Sequence, residues 1–415
     1  MTKGISAVVL AGGGALGAYE AGVLRYILKN IPTHQNAPHF RLFAGTSVGA
    51  LNASFLAALA DHPAAASRVL RNYWKSLTLD RVIRFGSQEL QSVFRLLLGR
   101  FSKNPVATPD RPPAGPHPPV AGIFDTTPLY GEMRRHIPWH RIQQNLASDL
   151  IGGIAVCATE ICTSKSVVFF QTSPTTKYMT GRDPCKESRR VNIGVEHAMA
   201  SAAMPFLFPG VQVDGVCYTD GGLRQNTPLN PALRLGADRL LIISVTQEPA
   251  IASKIARIGC RRNPYPGILF LLGRTMRAIL SQSLDYEIDR VEMYNRLMDG
   301  GSEIYGESFV DNLNQLMGSA RNANYRPIDV CHIRPTQDVS QLAREAILHA
   351  PEELTLPGPV GNLFSRMLRS SAFLESDLHS ILMFTPRYIS SLLELGYRDA
   401  EQSRDRLQQF FAGDR

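Results

Sequence analysis

Twice near its start this chain runs through a short apolar stretch, breaks at closely spaced glycines and resumes with helical periodicity. The first pass is Ser6-Ala7-Val8-Val9-Leu10-Ala11, the turn Gly12-Gly13-Gly14-Ala15-Leu16-Gly17, and a helix with Ala18, Ala21, Val23, Leu24 and Ile27 on its apolar positions. The second is Arg41-Leu42-Phe43-Ala44, the turn Gly45-Thr46-Ser47-Val48-Gly49, and an apolar helix from Ala50 to Leu59. A strand with one wet face alternates apolar and polar residues, whereas an unbroken apolar run belongs to a strand covered on both faces. Repeated units of this kind predict an α/β fold around a mostly parallel, covered sheet.

The same reading places strands at 151–158, 166–171 and 240–245, and a hairpin over 211–219 that turns at Asp214-Gly215. Asp220 then stands just past a strand end. Beyond Pro249 the pattern is mostly helical, with one more strand at 328–333 and a helical tail ending at 409–411. The expected organisation is an α/β core over 1–250 and a mainly helical region over 251–415 whose single strand returns to the core sheet. Seven prolines between Asn104 and Gly122 exclude a helix or a central strand there and predict an inserted loop or lid. No internal repeat is present.

Three segments fit one reaction. A serine hydroxyl attacks well only if its proton is removed as it attacks and the resulting oxyanion is held. In Gly45-Thr46-Ser47-Val48-Gly49 the serine occupies the tip of a strand-to-helix bend. Gly45 and Gly49 avoid side-chain clashes there, and the helix start turns its amides and positive dipole end toward the site. Asp220-Gly221-Gly222 supplies a carboxylate, and Gly221 and Gly222 allow its close approach. At a reference pKa of about 3.9 a carboxylate is a feeble base, so Asp220 has to be desolvated and within hydrogen-bond reach of Ser47 Oγ. The turn with Gly12, Gly13, Gly14 and Gly17 offers backbone amides to the oxyanion. This set needs no histidine, no metal and no cofactor.

Two rivals share these residues. Gly12, Gly14 and Gly17 match the GxGxxG spacing of dinucleotide sites, but that fold wants an acidic residue about twenty positions further on, and no Asp or Glu lies between Glu20 and Asp61. A Ser-Asp-His triad would have to draw on His332, His349 or His379. His332 lies in a strand-like segment and the other two in helical ones, positions that suit structural roles better.

In order and placement these motifs resemble the patatin-like phospholipase family: a glycine-rich oxyanion loop at Gly12 to Gly17, a GxSxG nucleophile at Ser47, and a downstream Asp-Gly-Gly at Asp220. Ala200-Ser201-Ala202-Ala203-Met204-Pro205 is similar to the family's small-residue segment before the aspartate, and the resemblance runs from about Ser6 to Val245. Leu16 departs from it, since many members carry arginine there. The resemblance implies a three-layer α/β/α sandwich, a Ser47/Asp220 dyad with amides of Gly12, Gly13 and Gly14 as oxyanion hole, and hydrolysis of phospholipid or lysophospholipid acyl esters through an acyl-enzyme. An acyltransferase using the same acyl-enzyme, or a lipid-binding module without catalysis, stays open beside it.

The net charge of +8 suits an anionic partner, a membrane surface or nucleic acid, without choosing between them; no long Lys/Arg block points to nucleic acid, so none is expected as a partner, and peripheral contact with an anionic membrane stays open. Val93, Phe94, Leu96, Leu97, Leu98 and Phe101 alternate with Arg95 and Arg100, and Gly267 to Leu280 mixes apolar residues with Arg274 and Arg277. Such stretches either lie on anionic membranes or pack as core helices. Six cysteines without paired spacing read as reduced thiols. No signal peptide or membrane-spanning run is evident, so the expected setting is cytoplasmic or membrane-peripheral. Oligomeric state leaves no mark on the sequence.

Overall fold

The computed structural model describes residues 4–32, 40–84, 122–181, 183–247, 284–321, 325–354 and 378–412, with single residues inside 273–278 and 361–368. Among these, nine strands form one sheet: β1 (Ser6–Leu10), β2 (Leu42–Thr46), β3 (Gly153–Glu160), β4 (Ser166–Thr172), β5 (Lys186–Arg190), β6 (Val211–Val213), β7 (Val216–Asp220), β8 (Arg239–Ile243) and β9 (Asp329–Ile333). The order is β5-β4-β3-β2-β1-β8-β9, with the hairpin β6-β7 joined to β3. Pairs β3-β4, β3-β7 and β6-β7 are antiparallel and the rest are parallel.

The helices are α1 (Gly17–Asn30), α2 (Val48–Ala58), α3 (Pro63–Ser76), α4 (Leu79–Val82), α5 (Thr127–His136), α6 (Trp139–Ala147), α7 (Val195–Ser201), α8 (Leu229–Arg234), α9 (Leu284–Tyr305), α10 (Phe309–Arg321), α11 (Val339–His349), α12 (Leu378–Leu382), α13 (Pro386–Gln402) and α14 (Arg404–Ala412). Strand alternation sorts them into layers. In β1, Val8 and Leu10 join one apolar cluster while Ala7 and Val9 join another, and β8 divides Leu241 and Ile243 from Leu240 and Ile242 in the same way. Residues of α1, α2, α3, α11, α13 and α14 fill the first cluster, and residues of α8 and α9 fill the second. The result is the expected α/β/α sandwich, and burial on both faces is why these strands read as unbroken apolar runs.

The expected strands are present with ends shifted by a residue or two. The hairpin turns at Asp214 (φ 48°) and Gly215 (φ 79°), both left-handed as a two-residue turn of this hand requires. Periodicity gave no hint of β5, whose sequence Lys-Glu-Ser-Arg-Arg is a charged, partly exposed edge; charged residues are how sheets blunt such edges. The proline-rich stretch before Gly122 and the basic apolar stretch 93–101 lie outside the described residues, as does most of 267–280. Among the described residues no helix is long and apolar enough to cross a membrane.

The C-terminal part is fastened to the helix that follows the first glycine turn. Where α13 meets α1, a Cβ on Gly22 would strike the Leu393 carbonyl and one on Gly396 would strike the Tyr19 carbonyl. Beside this contact Tyr19 OH donates to Asp399 Oδ2 at 3.0 Å, and Thr336 donates to the same carboxylate from N (3.1 Å) and Oγ1 (2.6 Å). Gly396→Ala forces the two helices apart and is expected to destabilise the fold by about 1–3 kcal/mol, read as a lower urea midpoint at unchanged slope.

Candidate active site

One strand brings the two halves of the site together. β2 runs parallel to β3 and ends with Thr46 opposite Cys157. On the next residue of β3, Ala158, the antiparallel β7 ends with Asp220. With β4 on the other edge of β3, β2 and β7 share one edge end to end, and their C-terminal ends meet. Ser47 leaves one end and Asp220 terminates the other.

Ser47 Oγ donates to Asp220 Oδ2 at 2.7 Å, and both side chains are buried. The serine holds φ 54° and ψ −124°, a conformation that costs a non-glycine residue about 1–3 kcal/mol and is kept only where the surroundings dictate it. Its surroundings do so. A Cβ on Gly45 would collide with the backbone of Gly49, and one on Gly49 with the carbonyls of Leu10 and Ala11, so only glycine closes the bend at either position. The Ser47 N–H donates to Ser201 Oγ at 2.7 Å, and Ser201 Oγ donates onward to the Cys157 carbonyl at 2.5 Å. Thr46 Oγ1 donates to the Gln225 carbonyl at 2.8 Å.

Asp220 is held from every side. Oδ1 accepts from the Gly222 N–H at 2.7 Å, the backbone N–H donates to the Ala203 carbonyl at 2.8 Å, and the backbone carbonyl accepts from Thr159 Oγ1 at 3.0 Å. Burial pushes its carboxyl up from 3.8 to about 6, against the bonds from Gly222 and Ser47, which pull it down. Gly221 packs against the Cys157 carbonyl.

The glycine turn stands next to this pair. A Cβ on Gly12 would lie 3.1 Å from Ser47 Cβ. The Gly12 N–H is committed to the Asn226 carbonyl at 3.0 Å. Among the described residues no acceptor takes the N–H of Gly13 or Gly14. Gly14 has φ 58° and packs on the Ile381 carbonyl of α12, and Gly17 opens α1 against Val48 and Trp74. Under the turn lies Glu20, fully buried: Asn52 Nδ2 donates to its Oε2 at 2.8 Å and to the Gly17 carbonyl at 3.0 Å, while Trp74 Nε1 donates to Asn52 Oδ1 at 2.9 Å. Burial raises the Glu20 carboxyl well above the usual range.

The histidines are engaged elsewhere. His332 Nε2 pairs with Ser244 Oγ at 2.8 Å, His349 Nδ1 with the Glu345 carbonyl at 2.7 Å, and His379 Nε2 with the Ser340 carbonyl at 3.0 Å. Burial lowers the His332 pKa to about 4, which keeps the ring neutral.

Sequence reasoning brought Ser47, Asp220 and the glycine turn together and missed Ser201, Asn226 and Glu20. Ser201 had a signal, as it lies within the small-residue segment 200–205. Its removal leaves the Ser47 N–H buried without an acceptor, so Ser201→Ala is expected to lower stability by about 1–3 kcal/mol in a denaturant titration.

Residues 8–233, more than half of the chain, match the patatin-like phospholipase family model. A search of curated proteins finds no match. Among solved structures the chain is similar to VipD from Legionella pneumophila, at 12% identity over 97% of this chain and 67% of that one, with a TM-score of 0.32. It is similar to human GIVD cytosolic phospholipase A2 at 12% identity over 99% of this chain, both in complex with methyl gamma-linolenyl fluorophosphonate (59% of that chain, TM-score 0.40) and in a second structure (60%, 0.40). The chain therefore spans about three fifths of the human protein's length. On the strength of the domain match, which encloses both glycine-bounded turns and the Asp-Gly-Gly segment, the chain belongs to the patatin-like phospholipase family.

Proposed function

We propose that this protein hydrolyses acyl esters of phospholipids or lysophospholipids, with Ser47 as nucleophile and Asp220 as the base acting on it directly. The observation that carries the reading is the 2.7 Å bond from Ser47 Oγ to Asp220 Oδ2 inside a buried site. Ser47 Oγ attacks the ester carbonyl carbon and its proton passes to Asp220. The carbonyl oxygen becomes an oxyanion, for which the free N–H groups of Gly13 and Gly14 are the donors; the Gly12 N–H is occupied by Asn226 and takes no part. Collapse expels the alcohol, which leaves with the proton from Asp220. Water then attacks the acyl-enzyme and gives a proton to Asp220, and the fatty acid departs as that proton returns to Ser47.

The raised carboxyl suits this role. A base works best when its pKa approaches the working pH without exceeding it, and burial moves Asp220 to about 6. A lipid substrate has an apolar contact at hand: Phe206, in the loop after the segment that holds both Ser47 and Asp220, is 70% exposed at φ 66°.

Ser47→Ala and Asp220→Asn are each expected to reduce fatty-acid release by at least about 10⁴-fold and, for Ser47→Ala, to abolish labelling by a fluorophosphonate probe. Replacement of His332, His349 or His379 leaves turnover in place; a loss as deep as that of Asp220→Asn would replace the dyad by a triad.

The pH dependence has two opposite signs. Activity needs ionised Asp220, so kcat/KM is expected to rise to a midpoint near pH 6 and then level off. Stability runs the other way, because the folded-state value lies above the ordinary 3.8. The contribution linked to Asp220 is fully present below about 3.8 and is lost as pH rises through about 6. Asp220→Asn should therefore melt at a higher temperature than the wild type at pH 8 although it is inactive, and equal melting of the two would refute the buried charge.

A further inference from the structure

Asn226 closes the turn that begins at Asp220, and it is 2% exposed. It meets the glycine turn through two hydrogen bonds at one residue. Its backbone carbonyl accepts from the Gly12 N–H at 3.0 Å, and its side-chain Nδ2 donates to the Gly12 carbonyl at 3.3 Å. A Cβ on Gly12 would fall on Asn226 Oδ1, so the side chain lies flat against the turn.

The second of these bonds has a stereochemical consequence. The Gly12 carbonyl and the Gly13 N–H belong to the same planar trans peptide, so they point in opposite directions and turn together. Among the described residues no peptide is cis. In a run of three glycines, peptide planes are otherwise free to rotate, since no Cβ restricts them. The amide of Asn226 holds the carbonyl end of one such plane and thereby aims the N–H at its other end.

We propose that Asn226 is the positioning residue of the oxyanion hole: its side-chain amide fixes the Gly12-Gly13 peptide plane so that the Gly13 N–H is aimed before the substrate arrives. The inference rests on the reading of Gly13 as an oxyanion donor. It gives the Asp220 turn a second task, because one short segment then carries the base at its start and the guide of the anion donors at its end. Donors aimed in advance need no reorientation when charge develops, which is where such groups contribute most.

The test compares the wild type with Asn226→Leu, which keeps the branched shape and loses the donor, and with Asn226→Ala. Three readouts are taken on folded protein: kcat, KM for a short-chain acyl ester, and inhibition by a trifluoromethyl ketone analogue, whose tetrahedral adduct with serine carries an oxyanion. A misaimed donor is expected to lower kcat roughly 100-fold, to leave KM nearly unchanged, and to weaken the ketone by the same factor as kcat. A role confined to packing predicts a lower melting temperature with kcat and ketone affinity intact, and that result rejects the proposal. So does a loss of kcat without a matching loss of ketone affinity. If neither variant folds, Asn226 is a core support rather than a guide of one peptide, and the proposal falls. The underlying reading is checked separately: without wild-type ester turnover that Ser47→Ala abolishes, both fall together, whereas Ser47-dependent turnover with an unimpaired Asn226→Leu enzyme rejects this inference alone.

Discussion

Everything at this site depends on a carboxylate kept out of water within hydrogen-bond reach of one hydroxyl. Two requirements conflict there. Burial raises the basicity of Asp220, but it also disfavours the charged form on which that basicity depends. The structure meets both with a small number of fixed donors. Gly222 N–H and Ser47 Oγ–H take one carboxylate oxygen each, enough to keep ionisation within reach near pH 6 without returning the group to its value in water. A cationic partner beside it would pull the pKa back down.

The bond is short because of strand register rather than side-chain reach. An eight-residue β3 is long enough to pair with β2 over its first part and with β7 over its last. The two partners, converging from opposite directions, present their C-terminal ends to each other. Segment 200–205 then ties the ends together, since Ser201 receives the Ser47 N–H and Ala203 receives those of Asp220 and the Thr219 hydroxyl. Asn226 adds the glycine turn to the same assembly. The C-terminal helices enter as support: α13 locks α1, which carries the glycine turn at its start, and α12 packs on Gly14.

Much of this was legible in the sequence, and the limits of legibility follow from distance along the chain. Buried strands announce themselves by unbroken apolar runs, and the glycine-bounded turns are local patterns whose spacing is itself the signal. β5 escaped because an edge strand of charged residues has no apolar period. Ser201 and Asn226 escaped for another reason. Each acts on a partner 154 or 214 positions away, while in its own neighbourhood one looks like helix filler and the other like a turn residue. Glu20 carries no local mark of burial, being an acid among the residues of a periodic helix, and it is fully buried beneath the glycine turn. The three consecutive glycines of the first turn read alike in sequence, yet only the folded chain separates Gly12, whose N–H is occupied, from Gly13 and Gly14.

A buried carboxylate, with its pKa raised by its surroundings, is the group bonded to the Ser47 hydroxyl. Its ionisation can be read directly by infrared difference spectroscopy, following the protonated carboxyl stretch that is present in the wild type and missing in Asp220→Asn. This band is expected to vanish with a midpoint near pH 6, and the midpoint to move upward in Ser47→Ala, where the hydroxyl no longer steadies the anion. A band that titrates near the ordinary 3.8, or that does not respond to loss of the Ser47 hydroxyl, would contradict it.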